Sequence, residues 1–216
     1  MTDQLPQAGA RYLPFSAGTH IRDERAGEVP DDREAQVAAV GQVKARRATM
    51  VAARTLWPIA GLAIVVAIFY GEQTSGLATL VAAVTVVACV VGTWLLYRRA
   101  DQLEQAVRRA DEQVGIPIPA HLVAEVSQAG VPVRTLTGWF GEIDPRDPDE
   151  VKTLRRARRR ALEIDGAWLD ELHTVRRCWV EGDRDGWDRA ARALEPIARR
   201  ATELDAELTG RMAGPA

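Results

Sequence analysis

Two uncharged apolar runs, separated by six residues, constrain this chain more than anything else in it. Leu77 to Tyr97 is about 21 residues without a charge, which at about 1.5 Å per residue covers roughly 30 Å of hydrocarbon. Thr55 to Tyr70 is shorter, about 16 residues, and gains a turn when Met50–Ala53 and a snorkelling Arg54 are added. The connector is only Gly71-Glu72-Gln73-Thr74-Ser75-Gly76. So short a link forces the helices to be antiparallel neighbours. The expectation is a transmembrane helical hairpin with spans at about 51–70 and 77–97.

The flanks give the hairpin a direction. Lys44, Arg46, Arg47 and Arg54 precede the first run, Arg98, Arg99, Arg108 and Arg109 follow the second, and the connector carries only Glu72. The positive-inside rule then puts both termini in the cytoplasm. Aromatic residues agree: Trp57, Trp94 and Tyr97 fall at the cytoplasmic end, Phe69 and Tyr70 at the other. Arg54 at the bilayer centre would cost about 2.5–3.5 kcal/mol, so it belongs at headgroup level. Arg54, Trp57, Trp94, Tyr97, Arg98 and Arg99 are therefore the expected interface anchors. A signal peptide is not expected, since some 50 largely polar residues come first.

Within the runs, small residues recur on one face. Ala63, Ala67 and Gly71 do so in the first, and Ala78, Ala82, Thr85, Cys89 and Gly92 in the second. Small faces let helix backbones approach in lipid, where no hydrophobic drive brings helices together. They are expected to pack span against span; association between hairpins is the alternative. No ionisable residue lies deep in either run, which argues against a proton relay or an ion-coupled transporter.

Outside the membrane the pattern is helical throughout, and the expected class is all-α. Residues 1–30, rich in Pro, Gly and charge, read as a flexible cytoplasmic arm. Residues 31–115 read as a juxtamembrane helix, the hairpin and a stalk that Gly115-Ile116-Pro117-Ile118-Pro119 stops. Residues 116–216 read as a cytoplasmic helical domain. It starts with a short helix, about 120–128, closed by Gly130 and Pro132, and continues with an irregular stretch, 131–149. Two long seams follow. The first runs Val151, Leu154, Ala157, Ala161, Ile164, Trp168, Leu172, Val175, Trp179. The second runs Trp187, Ala191, Leu194, Ala198, Ala201, Leu204, Leu208. Steps of three and four suit helix-on-helix packing. Gly182-Asp183-Arg184-Asp185-Gly186 separates them as the turn of a helical hairpin, with Trp179 and Trp187 at its tip and a kink or division expected at Pro196.

Chemistry-bearing patterns are sparse. Lysine plus arginine, 28, nearly balances aspartate plus glutamate, 30, so no overall field favours nucleic acid. The basic run Lys152–Arg160 lies among acids and lacks the interleaved aromatics that stack bases, and it is expected to be a solvated helix face. Cys89 and Cys178 sit in different regions, and no metal-ligand spacing, phosphate loop or nucleophile motif occurs. No cofactor, metal or catalytic residue is expected.

The sequence therefore favours a non-enzymatic membrane anchor that holds a helical interaction domain at the inner face of the membrane, as a scaffold or accessory subunit. Its expected partners are the lipid bilayer and a second protein or second copy. The candidate contacts are Trp139 and Phe140, on a glycine-flanked segment, and Trp168, Leu172 and Leu194 on the seams. The alternative is an oligomeric pore or membrane-disrupting effector gated by the cytoplasmic helices. In layout alone the chain is similar to small bacterial inner-membrane proteins with two spans and a cytoplasmic helical domain.

Overall fold

A computed structural model describes residues 8–13, 21–23, 33–70, 76–139 and 148–212. Helix dominates, as the apolar periodicity requires. In chain order the elements are β1 (Ala8–Tyr12), β2 (Ile21–Asp23), α1 (Arg33–Tyr70), α2 (Gly76–Val114), β3 (Ile116–Pro119), a 3-10 turn (Ala120–Leu122), α3 (Val123–Trp139), α4 (Pro148–Glu181) and α5 (Arg184–Met212). The chain divides into two compact units, Gly41–Val107 and the combination of Met1–Val40 with Arg108–Ala216. The division falls inside α1 and α2, not at their ends.

The central unit is the pair of long helices. Ala53, Leu56, Ala60 and Ala63 on α1 are buried or half-buried, as are Ala82, Thr85, Cys89, Gly92, Leu96 and Ala100 on α2. Steps of three and four put each set on one face. Arg46 pairs with Glu104 at 2.8 Å, and a β-carbon at Gly92 would stand 3.3 Å from Leu56 Cδ1. Rising numbers on α1 thus meet falling numbers on α2, so the helices are antiparallel. The remaining faces are apolar and open: Leu62, Ile68, Leu80, Val84 and Val87 are each more than 60% exposed.

In the other unit, α4 and α5 form the expected hairpin. Ala157, Ala161, Ile164, Trp168, Leu172, Val175 and Trp179 of the first seam are buried, as is every residue of the second. The glycine–aspartate turn closes it by two motifs in succession. Gly182 takes φ +76°, the Gly182 N–H donates to Trp179 O, and the Asp183 N–H donates to Cys178 O at 2.9 Å. That is a Schellman ending, which requires a residue tolerant of positive φ. Asp183 then caps α5, accepting from the Gly186 N–H at Oδ1, 2.9 Å. A β-carbon on Gly186 would collide with that carboxylate at 2.1 Å. Pro196 neither ends nor divides α5.

The helical class holds, and three local expectations need correction. The chain is predominantly helical, but it also builds a three-stranded antiparallel sheet in the order β2-β1-β3. Residues 8–12 and 21–23, read as flexible arm, are strands of it. Ile116–Pro119, read with Gly115 only as a helix stop, supplies its third strand. Two prolines suit β3 because it is an edge, where missing N–H groups leave no ladder bond unmade. Ile116 and Ile118 are buried to within 1%. Lastly, α3 runs through Gly130 and Pro132 to Trp139. Ala129 and Val133 on either side are buried, and that packing outweighs the backbone hydrogen bond a proline forfeits.

Candidate functional site

Among the described residues, the densest polar arrangement lies where α2 ends. Helix α2 leaves carbonyls without intrahelical donors, and buried side chains from distant elements supply them. Arg11 Nη1 donates to Val114 O at 3.2 Å, while Gly115 O accepts from both Gln36 Nε2, 2.9 Å, and Arg176 Nη2, 3.0 Å. Arg176 also forms an ion pair with Asp111, and the two side chains are 0% and 5% exposed. Cations at a helix C-terminus complement its dipole. Burial raises the Asp111 carboxyl above the ordinary range despite Arg176 beside it.

Gly115 makes the knot possible. Its φ is +70°, and a β-carbon there would sit 3.0 Å from Arg11 Cβ. Around it, the Trp187 indole donates to Pro117 O at 3.0 Å, covering the open side of β3. The Arg11 guanidinium lies 6.0 Å from the centre of the Trp179 ring, and Tyr12 meets Trp168 edge to face at 6.0 Å. One cluster thus holds the start of α1, the end of α2, strand β1 and helices α4 and α5. Nearby on α4, burial lifts Asp165 to about 6, partly countered by Arg108. The Cys178 thiol is also raised, first by burial, which disfavours the reactive thiolate.

The second arrangement lies within the helix pair. An apolar cleft of about 250 Å³ opens between Leu56, Trp57 and Ala60 of α1 and Cys89, Thr93, Trp94 and Tyr97 of α2. The Arg98 guanidinium stands 5.6 Å above the Trp94 ring. Trp57 and Trp94 are 61% and 58% exposed, and Arg54, Tyr97, Arg98 and Arg99 are exposed as well.

Of the small-residue stripes, Ala82 and Cys89 are buried and Ala63, Thr85 and Gly92 half-buried. Thr85 donates back to Val81 O at 2.8 Å. The side chains of Ala67 and Ala78, and Gly71 altogether, lie outside the described residues. Sequence reading missed Ala53 and Ala60, both buried, which continue the α1 face toward its N-terminus. It also missed the whole polar knot, because Arg176 and Gln36 differ in no local way from the many surface arginines and glutamines.

The candidate contacts separate. Trp168, Leu172 and Leu194 are fully buried in this chain's own core, where the two seams pack together. The Trp139 side chain and Phe140 lie outside the described residues. Comparisons with protein-family models, curated proteins and solved structures each gave no match.

Proposed function

We propose that this chain is a two-span membrane protein that holds a helical unit at the cytoplasmic face as a non-enzymatic anchor or scaffold. The carrying observation is the apolar belt of the helix pair. Arg33–Val66 and Leu80–Val114 are long and apolar enough to cross a membrane, yet their most apolar stretches, of mean hydropathy 1.6 and 2.2, are only 11% and 17% buried. A core helix of a soluble protein would hide that surface. Leaving it to water forfeits about 25 cal/mol for every Å², and lipid is the solvent that suits it.

The knot at Gly115 serves this role. It grips the start of α1 and the end of α2 with the same buried side chains. Ala82 and Cys89 are covered within the hairpin, which favours the anchor reading over a pore built on that stripe. With the seams consumed by the core, we assign partner contact to Trp139 and Phe140.

Extraction of isolated membranes at alkaline pH tests the reading. The protein is expected to stay in the pellet, and mild detergent is expected to release it with a partner that Trp139→Ser/Phe140→Ser no longer retains. Recovery in the alkaline supernatant would contradict the anchor.

A further inference from the structure

We propose that the cleft between α1 and α2 receives an acyl chain of an anionic phospholipid from the cytoplasmic leaflet, with Arg98 and Arg54 holding its headgroup. This rests on the membrane-spanning reading above. At about 250 Å³ the cleft falls below the roughly 300–1,000 Å³ of sites for drug-sized ligands, but a stretch of hydrocarbon chain fits it. Its walls are apolar and aromatic, so they do not hold ordered water, which needs two to four polar partners. In a bilayer something must fill it, and the neighbouring solvent is lipid chain.

The charge at its rim selects the kind of lipid. Arg98 lies over the Trp94 ring that lines the cleft, and Arg54 sits one turn before Trp57, which lines the opposite wall. No carboxylate pairs with Arg54, Arg98 or Arg99 among the described residues. Asp101, one turn beyond Arg98, makes no ion pair with it. A second hairpin docked here in the same orientation would set this arginine cluster against its own copy, and like charges at such a contact repel. A phosphate group instead completes it, and the guanidinium plane suits phosphate oxygens.

The test uses the full-length protein in phosphatidylcholine vesicles, with tryptophan quenching by brominated-chain phosphatidylglycerol or brominated-chain phosphatidylcholine added at equal mole fractions. The quenched emission is assigned by Trp57→Phe and Trp94→Phe. Each arginine near the surface contributes about 1 kcal/mol toward an anionic lipid, which is about fivefold in affinity. The expected result is a preference for the anionic lipid of at least about fivefold, which Arg98→Gln lowers by about that factor. Val90→Phe, on an exposed residue of the cleft wall, is expected to weaken quenching by both lipids. Equal quenching by the two lipids, or a preference that Arg98→Gln leaves intact, would overturn the lipid site while the anchor stands. If the protein stays outside the vesicles and neither lipid quenches, the membrane reading itself has failed, and the site with it.

Discussion

Replacing Arg176 with Met is expected to destabilise the unit built on α3, α4 and α5 by about 3–5 kcal/mol, the usual penalty for removing one partner of a buried ion pair. Asp111 would keep its buried carboxylate without a counter-charge, and Gly115 O would lose one of its two donors. Against a typical total of about 5–15 kcal/mol this is a large fraction, readable by urea titration of the near-ultraviolet dichroism in micelles. The loss carries a pH signature. Burial already raises Asp111 in the folded chain, so the folded state binds the proton more tightly than the unfolded one. Stability contributed by such a group is greatest at low pH and falls as pH rises through the raised value. Without Arg176 the carboxyl rises further, so the deficit should be largest near neutrality and shrink on acidification. A deficit independent of pH would mean that Arg176 acts by packing alone. Asp165, raised to about 6, slopes the same way in both proteins and cancels in the comparison.

Trp168→Ala is expected to cost about 3–5 kcal/mol as well, by loss of buried area plus the cavity left behind. Trp168 is 0% exposed at the centre of α4 and meets the Tyr12 ring from β1. Its removal should therefore loosen the sheet and the helical hairpin together, seen as a lowered unfolding midpoint and faster proteolysis near β1. Leu172→Asp should act in the same sense and more severely, since it buries an unpaired charge. Neither change touches the apolar belt, so membrane retention should persist. A variant with wild-type stability that merely released a partner would restore the seams as a docking surface and contradict their place in the core.

The two cases show which parts of the fold can be read from sequence. The seams of α4 and α5 declare themselves because burial on a helix repeats every three to four residues, and the turn between them carries glycines and a capping aspartate whose roles are local. The helix pair is equally visible, because lipid demands length and apolarity together. The sheet is not. Ala8–Tyr12 holds small residues and an arginine with no strand-like alternation, and its partner β3 lies more than 100 residues away. Its pairing is fixed by Ile116, Ile118 and Tyr12 entering one core, a tertiary outcome with no local period. Arg176 and Gln36 stayed hidden for a related reason. Polar residues are read as surface by default, and only the unsatisfied carbonyls at the end of α2 show why these two are buried.

Topology is the most direct measure of the central claim, that the helix pair crosses a membrane and leaves the helical unit in the cytoplasm. In a background with Cys89→Ala and Cys178→Ala, single cysteines are placed in the connector (Thr74→Cys) and on an exposed face of α5 (Glu203→Cys), and intact cells are treated with a membrane-impermeant maleimide. The expected result is labelling at position 74 in intact cells and at position 203 only after lysis. Labelling of both positions from the same side, or recovery of either variant as soluble protein, would contradict it.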